Sequence, residues 1–213
     1  MSILDPLKRV QRLRRSDALR RASGRKGDEA ARVPPGQSLT RKFPVLTAGP
    51  IQRVSQSDWR LRLFGLVEEE SELDWAALQA LPQQTQTCDI HCVTRWSKLD
   101  TTWTGVPFRA LHEISGALPE ADHVMLHCYG GYTTNMRLDE MLEEDVMLAH
   151  TFEGEPLEAK HGGPVRVLVP KLYLWKSAKW INGVEYTLGN RPGFWEGYGY
   201  HMHGDPWTEE RFG

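Results

Sequence analysis

Gln84-Thr85-Gln86-Thr87-Cys88-Asp89-Ile90-His91-Cys92-Val93 reads as a β-strand that carries a cysteine near its end. Alternation along a strand puts Cys88, Ile90 and Cys92 on one face and His91 on the other. Short strands and short helices surround it. Trp59–Val67 (WRLRLFGLV) opens with apolar and charged residues in alternation, as a half-buried strand does. Asp74 is placed to cap a helix over Trp75–Leu81, with Pro82 just past its end. Pro107–Ser115 reads as a helix with proline in its first turn, and Leu138–Glu143 as another. His123–Cys128, Tyr132–Arg137, Asp145–Thr151, Val165–Val169 and Trp180–Tyr186 read as strands, and Glu153–Pro156 as a turn. No long βαβ repeat is present. The fold class is therefore α+β, with mixed β-sheets and short helices, not a doubly wound sheet.

The 213 residues suffice for one large domain. Hydrophobic residues make up 40%, charged residues 25%, and mean hydropathy is −0.50. No run of 18 apolar residues exists, so no membrane span is expected. The N-terminus shows no apolar segment of a secretory signal, and Arg14-Arg15 and Arg20-Arg21 precede no apolar stretch. The expected location is cytoplasmic. Three cysteines do not make a disulfide framework. Residues 1–32 carry ten Lys/Arg against four Asp/Glu, and the rest carry 16 against 24. Residues 1–34 read as a basic leader and linker, partly helical (Leu4, Leu7, Val10, Leu13) or disordered. Val33-Pro34-Pro35-Gly36 marks the boundary, and 35–213 forms the domain. No nucleic-acid partner is expected.

Two segments carry chemistry. In the first, a thiolate at Cys92 is favoured if Arg95 lies close. It could act as nucleophile, redox thiol or metal ligand. Zinc finds no second cysteine pair here, and His201-Met202-His203 completes a site only if folding brings it near. The second is His161-Gly162-Gly163-Pro164-Val165-Arg166, followed by Lys171–Trp180 (KLYLWKSAKW). Its glycines let backbone approach a ligand. His161, Arg166, Lys176, Ser177 and Lys179 together read as a cradle for a phosphate or oxyanion. No P-loop or dinucleotide glycine fingerprint occurs. Cys88 and Cys128 read as core thiols. Glu68-Glu69-Glu70 reads as a solvated turn, and Trp195 and Trp207 as covers over the sheet.

Taken in order, these segments resemble the molybdopterin-binding domain of the sulfite oxidase family, in its short bacterial form without a haem domain. The resemblance covers about Pro35–Trp207. It runs through Arg41–Leu46, the Cys92 segment, Trp103–Phe108, His161–Arg166 and Ser177–Trp180. It implies a sulfite-oxidase-type fold and molybdenum carried by one molybdopterin, with Cys92 as the metal's protein ligand. It also implies oxygen-atom transfer to or from a small polar or anionic substrate of sulfite, S-oxide or N-oxide type, with an external electron-transfer protein. Phe43, Pro44, Val45 and Leu46 would line the pterin site through backbone groups. His161, Arg166, Lys179 and the backbone of Ser177 and Ala178 would contact the pterin or its phosphate. Arg95 and Tyr200 would stand at the metal centre, and Tyr132 and Thr133 in the substrate pocket. The family's Gly-Asn-Arg-Arg continuation is here Val93-Thr94-Arg95-Trp96, which removes one arginine from a sulfite pocket. The competing reading is a non-catalytic anion- or protein-binding domain that keeps the fold. The joint presence of Cys92, His161, Arg166 and Lys179 counts against it.

Overall fold

A computed structural model describes residues 29–213. The helix expected at Leu4–Leu13 lies outside them. Pro34–Gly213 forms one compact unit of two sheets. In chain order its strands are β1 (Ser38–Leu39), β2 (Arg60–Gly65), β3 (Ser71–Asp74), β4 (Gln84–Cys92), β5 (Trp96–Pro107), β6 (His123–Cys128) and β7 (Thr133–Arg137). β8 (Met147–Phe152), β9 (Glu155–Pro156), β10 (Arg166–Leu168) and β11 (Ile181–Thr187) follow. The helices are short: α1 (Trp75–Ala80), α2 (Phe108–Glu113), α3 (Leu138–Met141) and α4 (Phe194–Gly197). No helix among the described residues is long and apolar enough to cross a membrane.

One sheet has the order β3-β2-β11-β6-β7 and is mixed, because β2 and β11 run parallel. The other is organised on β5. β4 pairs along one of its edges, and β1 and β8 along the other, with β10 beyond β8. Side chains of both sheets share the larger core: Leu61, Leu63, Val184 and Tyr186 from one, Leu148 and Val167 from the other. The alternate residues Met147, Ala149 and Leu168 enter a second cluster with Ile90 and Trp103. β8 and β10 are thus buried on both faces, which is why they read as nearly continuous apolar runs.

The expected elements stand within a few residues of their places. Asp74 caps α1 through Oδ1, which accepts from Ala77 N at 2.8 Å. The largest difference is β5, the longest strand, which was not read from the sequence. Its buried positions include Ser97, Thr101 and Gly105, so the inward face carries no apolar alternation. A register shift opposite Cys88–Ile90 interrupts it further, with Asp100 in the left-handed region at φ 55°. Glu68–Glu70 does precede a strand, but Ser71–Asp74 is too short and polar to announce one.

Gly105 sits where β5 crosses close to β8. A Cβ there would lie 2.2 Å from the Leu148 carbonyl oxygen. Gly105→Ala is expected to destabilise the domain by about 1–3 kcal/mol, read as a lower urea midpoint at unchanged slope.

Candidate active site

Cys92 ends β4, and the chain turns back at once: Arg95 N donates to Cys92 O at 3.0 Å, with Arg95 at φ 70°. The turn opens beside a cavity of about 380 Å³, within the range of small-molecule and cofactor sites. Segments far apart in sequence line it: Phe43–Gln52, the Cys92 turn, Tyr129–Tyr132, Leu174–Trp180 and Phe194–Tyr200.

At one end lie the thiol and the cations. The Cys92 thiol is buried and accepts from Thr94 Oγ1 at 3.1 Å. Burial pushes its pKa up. The Thr94 hydrogen bonds and the charges of Lys179 and Arg211 act in the opposite direction. Arg166 is fully buried, and every one of its hydrogen bonds goes to a carbonyl: His161 O at 2.9 Å, Ser177 O at 2.7 Å and Val167 O at 3.3 Å. Burial lowers its pKa to about 10. Lys179 Nζ donates to Leu46 O and Lys160 O, each at 2.9 Å. Burial, then the neighbouring Arg166 charge, brings its pKa to about 7. Among the described residues neither cation has a carboxylate partner, and no Asp or Glu lines the cavity. Trp96 also lines it, and its Nε1–H is buried without a partner. A cavity with a buried thiol, two uncompensated cations and an unclaimed N–H donor suits an anionic occupant.

His161 stands one layer back. Its ring stacks on Phe43 at 4.0 Å and 6°, its Nδ1 is buried without a partner, and its pKa falls to about 4 through burial and then the Lys179 charge. Gly162 has φ 109°, and a Cβ there would press on the side chains of Arg166 and Lys179 at 3.0 and 3.1 Å. Gly163 leaves room for the Leu157 carbonyl. These glycines let the chain pack on itself so that the two cations converge; their lost Cβ space is not on the ligand side.

At the other end the walls are aromatic. Tyr200 stacks on Trp195 at 5.0 Å and meets Trp175 edge-on at 5.2 Å. Its hydroxyl has no hydrogen-bond partner among the described residues. Phe194 packs between Tyr132 and Trp195. A buried ion pair backs this wall: Lys176 Nζ to Glu196 Oε1, 2.6 Å. Glu196 Oε1 also accepts from Trp175 Nε1 at 3.0 Å and Thr134 Oγ1 at 2.8 Å.

Of the residues singled out from sequence, Phe43, Pro44, Leu46, Cys92, Tyr132, Arg166, Ser177, Ala178, Lys179 and Tyr200 meet at the cavity. Val45, Arg95, Thr133 and His161 do not line it. Arg95 is exposed, its guanidinium lies beside Gly36, and the cations acting on Cys92 are Lys179 and Arg211 instead. Phe43 contributes its ring. The N–H groups of Ser177 and Ala178 are taken by Leu174 O and Lys176 O. The Tyr132 hydroxyl donates to Trp175 O at 2.6 Å and so braces the wall. Lys176, read as part of the cradle, is neutralised by Glu196 and buried away from it. Trp175, Phe194 and Trp195 were missed as lining residues. For Phe194 and Trp195 the only sequence signal was the density of aromatics in Phe194–Tyr200. Among the described residues no group of three His, Cys, Asp or Glu gathers as metal ligands.

Residues 48–195 match the family described as "Oxidoreductase molybdopterin binding domain". The chain is 46% identical over 189 residues to the oxidoreductase YuiH of Bacillus subtilis, covering 88% of this chain and 96% of YuiH. It is 24% identical over 164 residues to the protein-methionine-sulfoxide reductase catalytic subunit MsrP of Campylobacter jejuni, covering 69% of this chain and 55% of that one. The sulfane dehydrogenase SoxCD of Paracoccus pantotrophus shares the fold. Its TM-score is 0.59 at 23% identity, over 64% of this chain and 40% of that structure.

Lys179 gives a pH test. Below about pH 7 it is charged, and above that it is neutral while unfolded lysine stays charged. Sulfate, a dianion throughout this range, should therefore bind the cofactor-free protein about tenfold more tightly at pH 6 than at pH 8.5, the worth of one charge-assisted hydrogen bond of ~1.5 kcal/mol. Calorimetric titration checks this, and Lys179→Met should abolish the difference.

Proposed function

The chain belongs to the sulfite oxidase family of molybdopterin-binding oxidoreductase domains, and we propose that the cavity beside Cys92 holds one molybdopterin, with the Cys92 thiolate as molybdenum's protein ligand, for oxygen-atom transfer. One observation carries this reading: a buried thiol, the buried Arg166 and the half-buried Lys179 share a cavity that contains no carboxylate. The occupant it calls for has a soft metal for the thiolate and an anionic portion for Arg166 and Lys179. A metal–pterin phosphate has both. When bound, this group supplies two-electron oxygen-transfer chemistry. The protein binds and orients it. Arg166 and Lys179 hold the anionic portion, Trp96 Nε1 offers a directed donor, and the Phe43–His161 stack closes the wall behind.

The aromatic end narrows the substrate. Trp175, Phe194, Trp195 and Tyr200 offer apolar faces and one free hydroxyl, and add no cation for a bare dianion. This suits a neutral S-oxide or N-oxide with an apolar flank, whose oxygen accepts a hydrogen bond from Tyr200 Oη. A relative named as a methionine-sulfoxide reductase supports the sulfur case. Electrons come from an external carrier.

Expressed in a host that makes molybdopterin, the chain should hold about one molybdenum per protein. Cys92→Ser should lose turnover by several orders of magnitude and change the metal's spectrum. Full turnover with an unchanged spectrum overturns the ligand assignment, and a metal-free wild type favours the binding-domain reading. With a reduced dye as donor, a thioether sulfoxide should be reduced. Trp195→Ala should raise its KM about tenfold with a small effect on kcat, as expected for lost flank binding. Faster oxidation of sulfite than reduction of any sulfoxide overturns the substrate reading.

A further inference from the structure

The Cys92 turn is held on its far side by residues outside the family-matched span 48–195. Gln37 Nε2 donates to Cys92 O at 3.1 Å, and Ser38 N to Arg95 O at 3.0 Å. From the other end of the chain, Arg211 Nη1 donates to Val93 O at 2.5 Å. Arg211 is 6% exposed. Its guanidinium lies over the Tyr173 ring at 5.0 Å, and Glu209 stands 3.6 Å away at the surface. Its Nε and Nη2 are buried without hydrogen-bond partners.

A guanidinium in this position is expensive. It is desolvated, its carboxylate partner is beyond hydrogen-bond distance, and two of its nitrogens go unmatched. An apolar side chain would fill the space at lower cost, so packing alone does not account for an arginine. What an apolar side chain cannot supply is a donor to the carbonyl after Cys92 and a fixed positive charge beside the thiolate.

The same segment reaches the opposite side of the site. Residues 211–213 pair with 199–201: His201 N donates to Arg211 O at 3.3 Å, Gly213 N to Gly199 O at 3.2 Å, and Tyr200 bridges to Phe212. One hairpin thus presents Tyr200 to the cavity and Arg211 to the back of the Cys92 turn.

We propose that Arg211 is a positioning residue for Cys92: its Nη1–H fixes the Val93 carbonyl, and its charge stabilises the electron-rich thiolate ligand. The inference rests on the reading of Cys92 as the metal's ligand. Its signature is electrostatic. A fixed cation beside the ligand favours the reduced, more negative metal centre, and the Glu209 carboxylate partly offsets it.

The test uses the full-length, metal-loaded chain as wild type, Arg211→Met, Arg211→Lys and Glu209→Gln. The readouts are metal content, midpoint potential by EPR-monitored redox titration, and separate kcat and KM. Arg211→Met should keep the metal and shift the potential negative, with kcat reduced and KM little changed. Arg211→Lys should recover most of the potential, and Glu209→Gln should shift it positive. A lower melting temperature in Arg211→Met with potential and EPR signal unchanged overturns the proposal, because packing then explains the residue. If Arg211→Met does not fold, Glu209→Gln decides: a positive shift supports the proposal and no shift overturns it. Failure of the underlying reading shows separately, as a wild type without molybdenum or a Cys92→Ser variant with an unaltered spectrum.

Discussion

Arg166 is buried with three carbonyl oxygens and no carboxylate around its guanidinium, and the cavity end of the fold is arranged about that charge. The three acceptors come from the turn before β10, from β10 itself and from the segment after it. One side chain therefore ties three pieces of backbone together while its charge stays uncancelled. A carboxylate partner would have made a more stable buried pair and a poorer anion site. Leaving the charge open costs the fold stability and leaves the cavity with an uncancelled positive charge that favours an anion. Lys179 converges on the same place because Gly162 gives it room, and it carries the same cost, visible in a pKa brought down to about 7.

The contrast with Lys176 shows how a charge is spent otherwise. Three residues from Lys179, it is matched by Glu196 at 2.6 Å and by the oxygens of Asn135 and Met202. Its charge is consumed in architecture. Through Glu196 it fixes α4 and the Trp175 indole, and with them the aromatic wall on which Tyr200 stacks. One short segment, Trp175–Trp180, thus sends one lysine to the cavity and one to the frame. Sequence does not separate them, because the deciding partner is Glu196, twenty positions away and unremarkable by itself.

This explains which parts of the molecule were legible. Asp74 and α1 could be read because a cap is a local contact. β6 could be read because its burial is carried by apolar residues. β5 could not: it is central in the sheet, yet Ser97, Thr101 and Gly105 occupy its inward positions. Cys92, Arg166 and Lys179 stood out because the resemblance runs through their segments, and the fold does bring them to one cavity. Arg95 stood out for the same reason and is turned to the surface, since a left-handed residue after Cys92 sends its side chain away from the thiol. The cation that does act from behind, Arg211, lies 119 positions beyond the cysteine, in a tail whose composition suggests only aromatic packing.

The ends of the domain therefore do different work from its middle. Residues 48–195 include the thiol, the anion-facing cations and both sheets. Gln37 and Ser38 before that span, and Tyr200 and Arg211 after it, close on the Cys92 turn and the mouth of the cavity. The final hairpin is itself clamped, because His203 bridges Glu210 and Glu140 at 2.7 Å each. Burial lies behind the cavity's charges, but the Cys92 turn and the Tyr200 hairpin are held by hydrogen bonds from Gln37, Ser38 and residues 211–213, at the two ends of the domain. Small changes there can retune the centre without disturbing the core that holds it.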